Sequence, residues 1–103
     1  MKLSLKQKAA LLRMKRSFFW AYPKGDGRVH HGFDRTLWSL QDKGLVRYVR
    51  AGEILEDGEF AGEEVVTGGW VLTKLGEGHA SIVEHEALQP TKDATELQRL
   101  AAK

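Results

Sequence analysis

Cysteine is absent from this 103-residue chain, and proline occurs only twice. Without cysteine, neither a disulfide nor a thiolate zinc site can hold the fold together, as is typical of proteins in a reducing cytoplasm. No apolar run approaches the roughly 20 residues that a membrane span needs. The basic N-terminus is not followed by an apolar stretch of signal-peptide length. We therefore expect a cytoplasmic protein that does not enter the membrane.

The motifs of nucleotide and metal enzymes are also missing. The glycine-rich segment 24–32 lacks the Gly-Lys-Ser/Thr of a phosphate loop, and no GxGxxG pattern opens a helix there. His85 begins a partial zinc-protease motif, but Gln89 stands at the position of the second histidine. His30 and His31 are adjacent, so they point in different directions on a helix or a strand. We expect no metal site, no cofactor and no catalytic residue.

What the chain does have is a strongly uneven distribution of charge. Residues 1–50 contain 12 Lys and Arg against 3 Asp and Glu, a net charge of +9, whereas residues 51–103 contain 4 against 11, a net charge of −7. The length and the 42% hydrophobic content are those of a small globular protein. The basic half predicts a surface for a polyanion. Alternatively, the two halves attract each other within the fold.

The clearest helical pattern lies in residues 33–46. Its apolar residues recur at i, i+4 and i+7, which places them on one helix face: Phe33, Leu37 and Leu40. Asp34 is suited to cap the start of this helix, and Gly44 to supply the left-handed residue at its end. Leu45 and Val46 then begin an extended segment.

A short amphipathic helix that ends in Lys-Gly-Leu-Val and leads directly into a strand resembles the recognition helix of winged-helix DNA-binding proteins of the MarR and PadR type. In those families a strand, a wing loop and a return strand follow the helix. Here the return strand is predicted at residues 65–74, and the sequence WVLTKLG of residues 70–76 resembles the end of such a wing. The resemblance covers roughly residues 33–76. It implies an α+β winged helix-turn-helix fold with N-terminal helices and a β-hairpin wing.

The second helix of that fold would fall in segment 24–32, which lacks a helical pattern, so we expect it to be degenerate. Before it, a first helix is predicted over residues 3–17, with Ser4 and Gln7 forming a capping box. The apolar face of this first helix comprises Leu5, Ala9, Leu12 and Phe19. The aromatic run 18–22 is predicted to pack in the core, in preference to stacking on single-stranded nucleic acid.

Beyond the return strand, Gly76 and Gly78 are expected to interrupt the chain, leaving one or two helical turns over residues 80–88. Thr91 is a predicted N-cap for a short C-terminal helix that includes Leu97 and Leu100. We divide the chain into a winged-helix domain at 1–90 and a C-terminal helix or tail at 91–103. The C-terminal helix either mediates dimerisation or frays.

The resemblance implies that the protein binds duplex DNA and regulates transcription, with the central helix reading bases and the basic half contacting phosphates. A helical wheel places Arg35, Ser39 and Asp42 opposite the apolar face, and the Arg35 guanidinium is the best candidate for bidentate contact with guanine. Trp38 has a competing role in packing against the aromatic run 18–22, and Asp42 would repel phosphate. The predicted DNA-binding residues are Lys15, Arg16, Arg28, Arg35, Thr36, Trp38, Ser39, Lys43, Arg47 and Arg50.

Residues 51–64 argue against a standard DNA-binding wing, because they include acidic residues and no basic one. Asp57-Gly58 predicts a tight turn that pairs residues 53–55 with 59–60. A wing in the minor groove usually presents Arg or Lys. A second hypothesis is therefore a winged-helix protein–protein module that binds a basic partner. Its predicted contact residues are Glu53, Glu56, Asp57, Glu59, Glu63 and Glu64. A structural RNA- or ribosome-associated protein is a third.

Overall fold

The computed structural model describes residues 2–16, 20–21, 34–56, 61–65 and 68–102. The elements follow one another in this order: α1 (Leu5–Arg16), β1 (Trp20–Ala21), α2 (Asp34–Asp42), β2 (Val46–Val49), β3 (Gly69–Leu72), α3 (Lys74–Ala87) and α4 (Lys92–Ala101). The predicted α+β class is confirmed. No helix in these segments is both long enough and apolar enough to cross a bilayer.

Helix α1 begins with the predicted capping box. The Ser4 hydroxyl accepts from the Gln7 N–H at 3.1 Å, and the Gln7 side chain accepts from the Ser4 N–H at 2.9 Å. More of the helix is buried than its predicted face, because α1 contacts α2, α3, α4 and β3. The fully buried side chains of α1 are Ala9, Ala10, Leu11, Leu12 and Met14. Phe19, assigned to the same face, lies outside the described residues.

Helix α2 starts at Asp34 and ends where the sequence predicts. Gly44 has a φ of 77°, a conformation in which glycine carries no steric cost, and the Leu45 N–H then donates to the Leu40 carbonyl at 3.0 Å. Leu37 and Leu40 are fully buried, as their spacing predicted. Phe33 and the Asp34 side chain lie outside the described part of the chain.

The three described strands form one antiparallel sheet in the order β1-β3-β2. Tyr48 lies opposite Trp70, and Trp70 lies opposite Trp20 on the other side. Val46 and Trp70 join the main core with α1 and α2. On the other face of the sheet, a second small cluster comprises Val49, Leu55, Val65 and Val71. Both faces of the sheet are therefore covered.

The return strand is shorter than predicted, and the predicted break at Gly76 and Gly78 is wrong. Residue 74 already begins α3, which continues without interruption to Ala87. Thr73 caps this helix, because its hydroxyl accepts from the Gly76 N–H at 3.0 Å and donates to the Gly44 carbonyl at 2.6 Å. A Cβ at Gly76 would overlap the Leu45 carbonyl oxygen, whereas one at Gly78 would meet open space. Gly76 thus permits close packing of α3 on the segment before β2.

Helix α4 is capped by Thr91 as predicted, with the hydroxyl accepting from the Ala94 N–H at 3.0 Å. Leu97 and Ala101 are buried in the same cluster as α1, so this segment packs against the main core. The Gln98 side chain also donates to the Ala87 carbonyl at 3.2 Å and joins α4 to the end of α3. The division of the chain into 1–90 and 91–103 stays a prediction.

Candidate nucleic-acid interface

Helix α2 presents one exposed face to solvent. Arg35, Trp38 and Asp42 recur at i, i+3 and i+7, and all three are exposed, because Leu37 and Leu40 turn the opposite face toward the core. Arg35 makes no hydrogen bond or ion pair with the residues that the structure describes. Its guanidinium is therefore available to an outside acceptor, with the acidic Asp42 two turns away.

Trp38 is both packed and accessible. Its ring meets that of buried Trp70 edge-on, with the centroids 5.0 Å apart, and stacks beside Tyr48 at 6.4 Å. Even so, Trp38 is 53% exposed. The ring partners that the structure describes lie on β2 and β3. The predicted contact with the run 18–22 falls largely outside the described residues.

Ser39 does not lie on the exposed face that the helical wheel assigned to it. It is half-buried, accepts from the Gln7 side-chain amide at 3.1 Å and donates to the Thr36 carbonyl at 2.7 Å. The hydroxyl thus joins α2 to α1 and is not free to contact a base. Thr36 and Lys43 are also half-buried. Of the predicted α2 contacts, Arg35 and Trp38 are the two with exposed side chains.

The outer edge of β2 carries a contact that the sequence analysis missed. The Gln41 side-chain oxygen accepts from the Tyr48 backbone N–H at 2.9 Å. This N–H points away from β3, and the amide occupies a position at which another strand would otherwise pair. A glutamine that follows an apolar helical pattern gives no sequence signal for this role.

Arg47 lies within β2 and Arg50 directly follows it, and both are exposed. Arg47 forms an ion pair with Glu53 at 2.9 Å. The hydrogen bond from Arg47, followed by one from the Arg50 backbone, holds the pKa of the Glu53 carboxyl below its ordinary value. A predicted DNA-binding residue is therefore paired with a predicted partner-binding residue. The acidic segment meets the basic half at this point.

The hairpin register predicted for the acidic segment is wrong. Residues 53–55 pair with residues 62–65, through an antiparallel bridge between Ile54 and Glu64 and a 3.0 Å bond from the Leu55 N–H to the Glu63 carbonyl. Burial of Leu55 and Val65 against the sheet sets this register, which periodicity does not encode. The turn at Asp57-Gly58 and Glu59 lie outside the described residues. Glu56, Glu63 and Glu64 are exposed.

The remaining predicted basic residues lie elsewhere. Lys15 and Arg16 are exposed at the end of α1, and Arg16 donates to the Gln98 side chain on α4 at 2.6 Å. Lys8 pairs with Glu86 of α3 at 2.9 Å, which is a second contact between the basic and acidic halves. Arg28 lies outside the described residues. The geometry thus groups Arg35 with Trp38 on α2, and Arg47 with Arg50 beside Glu53.

No group of three or more His, Cys, Asp or Glu within the described segments is placed to hold a metal ion. The chain matches no protein-family model, no curated protein and no solved structure.

Proposed function

We propose that this chain is a small winged-helix DNA-binding protein that regulates transcription and works without a cofactor or catalytic activity. The order of its elements supports the proposal. Helix α2 leads directly into β2, the acidic segment follows as the wing, and β3 returns between β2 and β1. We refer to residues 51–65 as the acidic arm. In this arrangement α2 is the recognition helix.

The observation that carries the proposal is that Arg35 and Trp38 lie together on the exposed face of α2. Arg35 supplies the planar donor pair that reads the guanine edge, and Trp38 is held by Tyr48 and Trp70 so that its exposed edge can contact a base or sugar. Arg50 and Lys15 are exposed cations suited to phosphate contact. Ser39 is removed from the proposed contacts, because it is hydrogen-bonded to Gln7.

The test is binding of the purified protein to random duplex DNA across a salt series. Affinity should fall with salt, with a slope of about 0.9 in log–log form for each phosphate contacted. Arg35→Ala should weaken binding, whereas Lys92→Ala removes an exposed cation on α4 and should leave it unchanged. Absence of binding at low salt, or equal losses in both variants, would contradict the proposal.

A symmetric operator would require a dimer. The apolar side of α4 already faces α1, so the C-terminal helix has little apolar surface left for a second copy. On α3, Leu75 and Ile82 are 54% and 58% exposed, with open Gly78 between them. Two such helices crossing antiparallel at Gly78 would place Leu75 of one copy against Ile82 of the other. Size-exclusion chromatography with light scattering of Ile82→Glu tests this dimer.

One observation favours the second candidate, a module that binds a basic protein. The acidic arm is anchored by buried Leu55 and Val65, yet it exposes Ile54 at 54% together with Glu56 and Glu64. An exposed apolar residue between carboxylates suits a partner surface with an apolar centre and a basic rim. If Glu56→Lys and Glu64→Lys abolish activity while Arg35→Glu leaves it intact, this candidate replaces DNA binding. Competition between duplex DNA and structured RNA tests the third hypothesis, a structural RNA- or ribosome-associated protein.

A further inference from the structure

Arg47, a predicted contact for the DNA backbone, forms an ion pair with Glu53 of the acidic arm. The two side chains are 46% and 36% exposed, and their nitrogen and oxygen atoms lie 2.9 Å apart. The Glu53 carboxylate accepts from Arg47 Nη1, a donor that a DNA phosphate would also use, because both anions accept hydrogen bonds at the edge of a guanidinium. The pairing is therefore a direct competitor for one predicted backbone contact.

The backbone around Glu53 keeps its carboxylate in this position. Residues 50–53 form a tight turn in which the Glu53 N–H donates to the Arg50 carbonyl at 3.1 Å, and Gly52 adopts a φ of 94°. Two further bonds of 2.8 Å, from Gly52 to the Val65 carbonyl and from Val65 to the Glu53 carbonyl, join the two sides of the arm. The hydrogen-bonded backbone of residues 50–53 and 65 thus holds Glu53 where its carboxylate reaches Arg47.

We propose that Glu53 is an internal competitor for DNA phosphate at Arg47, and that it lowers sequence-independent binding; this inference rests on the proposed DNA-binding function. On random DNA, the phosphate must displace the carboxylate and then remain close to it. This displacement costs the same free energy wherever Arg47 meets a phosphate. Glu53 therefore lowers the affinity for DNA of any sequence without touching a base.

Glu53→Gln tests the proposal, with Glu56→Gln as the matched control. Both variants remove one negative charge from the acidic arm, but Glu56 is exposed and has no ion-pair partner among the described residues. Exposed ion pairs are weak, so Glu53→Gln should tighten binding to random duplex DNA by about two- to fivefold. It should also steepen the salt dependence by about 0.9, the value for one phosphate. Glu56→Gln should change the affinity less and leave the slope unaltered.

A double-mutant cycle shows whether the effect passes through Arg47. In an Arg47→Gln background, Glu53→Gln should produce no further steepening of the salt dependence, because the guanidinium that it releases is gone. Thermal unfolding followed by circular dichroism verifies that each variant is folded.

The outcomes separate this inference from the function on which it rests. If the wild-type protein binds DNA with a salt-dependent affinity but Glu53→Gln behaves as Glu56→Gln does, DNA binding stands and the competitor role is refuted. The competitor role is also refuted if Glu53→Gln has its full effect without Arg47. If neither the wild-type protein nor Glu53→Gln binds DNA at low salt, both proposals fail.

Discussion

Gly76→Ala should destabilise the protein strongly, although alanine is the better helix former. The added Cβ would overlap the Leu45 carbonyl oxygen and lie 2.7 Å from the Leu45 carbonyl carbon. Cβ atoms in proteins essentially never approach another heavy atom more closely than 3.0 Å. The obstacle is backbone, so no side-chain rotation relieves it. Movement of α3 away from Leu45 would also strain the 3.1 Å bond from the Thr73 N–H to the same oxygen.

The magnitude follows from three contributions. Overpacking costs about 1–3 kcal/mol, and loss of the hydrogen bond to Leu45 costs about 1 kcal/mol. The higher helix propensity of alanine offsets about 1 kcal/mol of this destabilisation. The net loss for Gly76→Ala is about 1–3 kcal/mol, which would lower the Tm by about 4–20 °C in a chain of this size.

Gly78→Ala is the matched control, because it makes the same change two residues later on the same helix. Nothing lies within 4 Å of a Cβ at Gly78, so only the propensity gain of about 0.5–1 kcal/mol remains. Urea denaturation followed by circular dichroism measures both variants. Equal stability changes, or a stabilised Gly76→Ala, would refute the close approach of α3 to Leu45.

Three further predictions concern the caps, the ion pair and the last helix. Thr73→Val should lower the free energy of unfolding by about 1–2 kcal/mol, because the α3 cap is lost; urea titration measures it. In an NMR titration the pKa of Glu53 should lie below its ordinary value and rise in Arg47→Gln. Because the folded-state pKa is depressed, the stabilisation is present above the unfolded-state pKa and is lost as the pH falls through the folded-state pKa. A Glu53 pKa that does not respond to Arg47→Gln would show that the pair is not formed in solution. Leu97→Ala should cost about 2–5 kcal/mol, whereas Leu88→Ala, at a site 74% exposed, should cost little; similar values would mean that α4 frays.

Local interactions were predictable from the sequence. The capping box of Ser4 and Gln7, the helix end at Gly44 and the cap at Thr91 each involve residues within a few positions of one another. Their geometry depends on side-chain chemistry and backbone freedom at fixed spacing, which the sequence shows directly. The buried face of α2 followed from periodicity for the same reason, whereas the α+β class was implied by the resemblance to winged-helix proteins.

The tertiary structure alone decided which distant residues meet. From the sequence, Gly76 is expected to break a helix, but in the fold it lies inside α3 against Leu45. Likewise, Ser39 is expected to be exposed, but α1 places Gln7 beside it. The register of the acidic arm followed from burial of Leu55 beneath the sheet. The sequence by itself determined where α1 and α4 start, where α2 ends, and how charge is divided between the halves. Whether those charges pair, as Arg47 does with Glu53, depends on how the chain folds back, which periodicity and composition do not specify.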